Sequence, residues 1–138
     1  MLFYDLDINA WVRTPGSKSP PQMTPVLTIG GVFEIAVTFV QDGAIYDPLA
    51  SSYYLGAKLA GDMAGAYIAH DSAPTTGGDA QQVFSLDLTT VAAKAYFTTN
   101  PTEDTVAAVL QLKYVADSIE RRTVPMAIVL QNDYLQDQ

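Results

Sequence analysis

Three neighbouring residues, His70-Asp71-Ser72, are the types that serve hydrolases as base, orienter and nucleophile. Their spacing defeats that use. Adjacent residues on an extended chain point to opposite sides, so these three cannot form a relay with one another, and His70 reads as a surface residue at a strand end. A zinc site is disfavoured because the chain has one histidine and no cysteine. Carboxylates hold Ca²⁺ elsewhere, and Asp62, Asp71 and Asp79 lie in or near loops, but no Asp-x-Asp-x-Asp-Gly loop occurs. The pair Asp5 and Asp7 falls on an expected strand. Residues 75–79, Thr-Thr-Gly-Gly-Asp, lack the Lys-Ser/Thr ending of a phosphate loop and lead into a strand, so they read as a flexible turn. Nothing marks two of the fifteen acids as a glycosidase pair. The expectation is a non-enzyme with no catalytic residue, no cofactor and no metal.

Aromatic residues are the other group with chemistry to offer. Tyr53, Tyr54 and Tyr67, with Asp62 and His70 close in sequence, could line a sugar-stacking surface, since a phenol joins an apolar face to a polar tip. The competing reading makes them ordinary packing residues of a sheet. A carbohydrate-binding module is therefore kept as the alternative function.

Strands must position all of these side chains. Over residues 24–40 the apolar residues Phe33, Ile35, Val37 and Phe39 alternate with Glu34, Ala36 and Thr38, the two-residue period of a strand with one face on a core. Asp42-Gly43 then supplies a two-residue hairpin turn leading to Ile45-Tyr46. Leu55, Ala57 and Leu59 alternate against Tyr54, Gly56 and Lys58, and after the Gly61-Asp62 turn Gly65–Ser72 returns as the second arm of a hairpin. Residues 73–80 read as loop, and Phe84, Leu86 and Leu88 as one face of a further strand. Thr90 caps a helix of about two turns through Phe97, ended by Asn100-Pro101. Residues 105–116 carry alanines, yet Ala108, Leu110, Leu112 and Tyr114 recur at every second position and favour strand over helix. A partner strand follows Asp117-Ser118, with Val124, Met126, Ile128 and Leu130 on one face and Pro125 marking an edge or bulge.

Between the first strands and the tight pattern lies a proline-rich arm at about 13–25, holding Pro15, Pro20, Pro21 and Pro25. Proline fixes φ and lacks a donor, so an extended surface segment is expected, either a solvated connector or an arm docking on a neighbour. The whole reads as all-β, an antiparallel sandwich with one short connecting helix, forming one domain over 1–138.

Size and composition agree. A chain of 138 residues with 49% hydrophobic and 16% charged residues can bury a core. A formal charge of -8 repels phosphate backbones, so nucleic acid is an unexpected partner. Asp5 and Asp7 fall where a signal peptide wants a basic start and an apolar run, and no uninterrupted apolar stretch of about 18 residues exists to span a membrane.

Four stretches in order, Trp11-Val-Arg-Thr-Pro-Gly-Ser17, Leu27 through Pro48, Leu55 through Ala69, and Arg121 through Asp133, resemble the Ig-like N-terminal domain of phage tail fibre and upper baseplate proteins. In that family a Val/Thr/Phe strand leads to a glycine turn and Tyr-Asp-Leu, and the domain closes on an Asn-Asp strand. Tyr46-Asp47-Pro48 and Gln131-Asn132-Asp133 stand in those places here. Members commonly run on into a stalk or receptor-binding region, whereas this sequence ends at Gln138, which favours an adaptor or attachment module.

The resemblance implies an Ig-like sandwich and a virion part assembled in the bacterial host cytoplasm without a signal peptide. It would act as a homo-oligomer through contacts with other tail or baseplate proteins. The arm would then be the docking element, with Trp11, Arg13, Pro15, Pro20, Pro21 and Pro25 as partner-binding residues, and its removal would leave the sandwich folded. A preordered extended segment loses little entropy on docking.

Overall fold

A computed structural model describes residues Leu2 to Asp133. The chain forms β1 (Leu2–Asp5), β2 (Ala10–Val12), β3 (Val26–Thr28), β4 (Val32–Gln41), β5 (Ala44–Tyr46), β6 (Ser52–Leu59), β7 (Ala69–Asp71), β8 (Thr75–Thr76), β9 (Gln82–Asp87), α1 (Val91–Thr99), β10 (Thr105–Ala116), β11 (Ile119–Arg122) and β12 (Met126–Gln131). The first sheet runs β2-β1-β4-β9-β8, with β5 also on β4. The second runs β3-β12-β10-β6-β7, with β11 also on β10. The two pack face to face as a mostly β, sandwich-like fold.

Alternation does what the sequence pattern asks of it. Ile35, Val37 and Phe39 of β4, Phe84 and Leu86 of β9, Leu55 and Ala57 of β6, and Ala108, Leu110, Leu112 and Tyr114 of β10 all enter the core. Residues 105–116 are strand. Asp42 and Gly43 both take positive φ, the geometry of a hairpin turn whose twist matches its strands. Thr90 accepts from the Ala93 N–H at 3.1 Å to start α1, and Asn100 closes it with backbone and side-chain bonds to the Tyr96 carbonyl.

An aromatic series links the sheets. Trp11 meets Tyr4 edge-on at 4.9 Å, Tyr4 meets Phe39 at 6.3 Å, and Phe39 meets Tyr114 at 4.8 Å. Burial of such rings is worth about 2–3 kcal/mol each, so this series anchors the packing.

The structure corrects four expectations. First, the sheets are mixed: β1 pairs with β4 in parallel, and so does β3 with β12. Periodicity sets which face a residue occupies but says nothing of strand direction. Second, Val124 does not share the face of Met126, Ile128 and Leu130, and is 43% exposed. Lys113 pairs with Arg122 and Leu110 with Met126, so Thr123, Val124 and Pro125 face only Gln111 and Leu112. This is a β-bulge that shifts the register by one. Third, residues 73–80 are not simply a loop, because Thr75 and Thr76 pair with Val83 and Gln82. Fourth, the first half of the arm is not extended: the Arg13 N–H bonds Ser19 O at 3.0 Å and the Ser17 N–H bonds Thr14 O at 3.1 Å, closing a compact loop.

One crossing decides how the sheets join. After β3 the Ile29 N–H donates to Gln131 O in the second sheet, whereas Gly30 and Gly31 exchange bonds with Leu88, at the end of β9, in the first. Gly30 has φ +90°, which a residue with a Cβ tolerates poorly.

Candidate interaction surfaces

The loop 13–19 lies against its own domain. Asp5, Val12 and Val40 point away from the inter-sheet core, in register opposite to Tyr4 and Trp11, yet are 0%, 2% and 0% exposed. Something covers them. Lys18 Nζ reaches Asp5 Oδ2 at 3.1 Å, and a Cβ added at Gly43 would lie 3.8 Å from the Gly16 Cα, so the loop is the cover. Burial pushes the Asp5 carboxyl up, but the Lys18 ammonium and the backbone N–H groups of Asp7 and Ile8 outweigh it and hold the group below its ordinary value. The Asp5-Asp7 pair is structural: Asp5 Oδ1 accepts from the Asp7 N–H at 2.8 Å, and Asp7 Oδ2 from the Asp42 N–H at 2.7 Å. Removing the arm would uncover these groups, so the loop contributes to the stability of the sandwich.

Residues 20–25 are the outward part. Pro25 O accepts from the Val129 N–H at 2.9 Å, fixing the entry to β3. Pro20, Pro21 and Met23 form one wall of a groove of about 270 Å³ whose other wall includes Trp11, Pro125 and Met126. Met23 is 82% exposed. Trp11 belongs to β2 and the core, with its indole N–H on Val124 O at 2.8 Å, so it floors the groove instead of projecting from an arm. Arg13 and Pro20 are exposed, and Pro15, Pro21 and Pro25 are half-buried. Among the expected docking residues, Trp11, Pro20, Pro21 and Pro25 thus meet at one groove, while Arg13 and Pro15 belong to the closed loop.

The tyrosines divide. Tyr53 faces inward against Phe84 and Tyr114, and burial raises its phenol, with Asp47 adding to the effect. Tyr54 and Tyr67 lie 5.3 Å apart on the outer face of the second sheet, and His70 stacks on Tyr54 at 5.2 Å. Lys113 Nζ sits 4.7 Å from the Tyr54 ring centre and Lys58 Nζ 4.5 Å from that of Tyr67. Tyr67 also closes on Gly56, where an added Cβ would fall 2.3 Å from its Cε1. The chain's own groups already engage these rings. Sequence reasoning placed Tyr54, Gly56 and Lys58 on one side of β6 but missed Lys113, which only the β6–β10 register brings opposite Tyr54. Asp62 closes its own turn, its carbonyl accepting from the Gly65 N–H.

Near His70 the possible catalytic partners have other work. Asp71 Oδ1 accepts from the Ala73 N–H at 2.9 Å and Oδ2 from the Ser85 N–H at 2.7 Å, which ties the β7 end to β9. Among the described residues no three of His, Asp and Glu gather, and no helix is long and apolar enough to cross a membrane.

No family model matches the sequence, and no curated protein matches it. Among solved structures, the chain is similar to one described as "N-terminal domain of phage TP901-1 ORF48", with 6% identity, a TM-score of 0.47, and coverage of 96% of this chain and 95% of that one.

Proposed function

We propose that this protein is a non-enzymatic structural component of a phage virion: an Ig-like attachment or adaptor module of the tail, baseplate or tail fibre. It works through protein–protein contacts and forms homo-oligomers within the tail. The ordered sequence resemblance supplies the phage reading. The observation that carries the docking mode is the groove between Pro20, Pro21 and Met23 on one side and Trp11, Pro125 and Met126 on the other.

A groove walled by prolines has little backbone entropy left to lose, and an almost fully exposed methionine on its lip is an adaptable apolar contact. The covered half of the arm, fixed by Lys18 and Asp5, holds the open half in place before any partner arrives.

Light scattering across a concentration series tests this. The wild-type chain is expected to self-associate, and Met23→Asp to shift it toward monomer while circular dichroism stays unchanged. A wild-type protein that is monomeric throughout, or an oligomer indifferent to Met23→Asp, would count against the groove as the assembly surface.

A further inference from the structure

A cleft of about 450 Å³ opens at one end of the sandwich, between the Asp42-Gly43 hairpin of the first sheet and the Asp117-Ser118 hairpin of the second. Arg121 pairs with Tyr114 across β11 and β10, so its side chain rises on the same side as that ring. Opposite stand Tyr46, 40% exposed, and the amide residues Asn9 and Gln41.

Two donors that line the cleft, the Arg121 guanidinium and the Tyr114 hydroxyl, have no hydrogen-bond or ion-pair partner among the described residues. Among the described residues the ion pairs are Lys18–Asp5 and Arg122–Glu120, so the Arg121 guanidinium is in neither, although Asp117 lies on the lip. Tyr114 is 5% exposed and makes no hydrogen bond to the described residues. Among the described residues no fully buried side-chain polar atom lacks a partner, so the part of Tyr114 left open is its hydroxyl. Burial raises that phenol, and Arg121, its cross-strand partner in the same cleft lining, opposes the rise.

We propose that this cleft binds an acidic saccharide, a pyranose bearing a carboxylate. The Arg121 fork would take the carboxylate in a bidentate pair, Tyr114 would donate its hydroxyl, the Tyr46 ring would pack on the sugar's apolar face, and Asn9 and Gln41 would meet ring hydroxyls. A volume of about 450 Å³ accommodates one or two sugar rings. A pyranose acid offers a carboxylate, an apolar ring face and hydroxyls together, which match the guanidinium, the tyrosine wall and the two amides of the cleft. The site stands apart from the arm groove and does not depend on the assembly reading.

The test is an NMR titration of the ¹⁵N-labelled full chain with D-glucuronate, D-glucose and N-acetylglutamate in parallel. Glucuronate is expected to saturate with a dissociation constant of roughly 1–10 mM, moving amides around Tyr46, Tyr114 and Arg121. In Arg121→Gln that affinity should fall about tenfold, and in Arg13→Gln, which removes an equal charge elsewhere, it should not change. Four results would overturn the proposal: no saturation, equal binding of glucose, an unchanged Arg121→Gln, or N-acetylglutamate binding as tightly as glucuronate. The last would reassign the cleft to acidic peptide. Arg121 is exposed, so circular dichroism of its variant should match the parent.

Discussion

The Tyr4 hydroxyl accepts a hydrogen bond from the Val124 N–H at 3.0 Å, joining residues 120 positions apart. Trp11 Nε1 donates to the carbonyl of the same residue at 2.8 Å. A bulge leaves ladder groups without their usual partners, and here two core aromatics of the opposite sheet supply them. The bulge is thereby both the register break of β11–β12 and a polar tie between the sheets.

Tyr4→Phe keeps the ring and deletes the acceptor, so the Val124 N–H loses its partner at a cost of about 1–3 kcal/mol. Chemical denaturation measures it. Combined with Trp11→Phe, the double mutant should deviate from additivity by about 0.5–1 kcal/mol, because both bonds meet one peptide segment.

Lys18→Met tests the loop cover through pH. The folded Asp5 carboxyl lies below its unfolded value of 3.8, so its ionisation stabilises the fold above that pH, and the contribution is lost as pH falls through the folded value. Urea midpoints from pH 2 to 7 should show wild type above Lys18→Met at neutral pH, with the gap closing on the acid side. Parallel curves would show that the ion pair does not set the shift.

Asp117 and Ser118 both have positive φ at the β10–β11 turn, where Ser118, at 63°, carries a Cβ that resists this conformation. Ser118→Gly should stabilise the protein by about 0.5–1 kcal/mol, seen as a higher thermal midpoint.

Gly30→Ala acts in the other direction. With φ at +90° and an added Cβ 3.1 Å from Asp133 Oδ2, the substitution strains the crossing between sheets and should cost about 1–2 kcal/mol in the same assay.

The parts legible in the sequence were those governed by local rules. Two-residue alternation placed Phe84, Leu86, Leu110 and Leu112 in the core, and Asp42-Gly43 and Thr90 announced a turn and a cap. Register and direction were not legible. The parallel β1–β4 and β3–β12 pairs depend on a chain that leaves one sheet and returns, and the Thr123–Pro125 bulge moved Val124 off the face that simple alternation assigned it. The candidate surfaces were legible to the same degree: the prolines marked the arm, but that Lys18 would find Asp5 and that Trp11 would floor the groove required the folded register. The role of Arg121 was not legible, because the cleft beside it is made by two hairpins far apart in the chain.

The assembly role stands or falls on where the protein is found. Quantitative mass spectrometry of purified phage particles, paired with immunogold labelling of the same preparation, should detect this chain at a fixed copy number per particle with label confined to the tail. Its absence from intact particles would contradict the account.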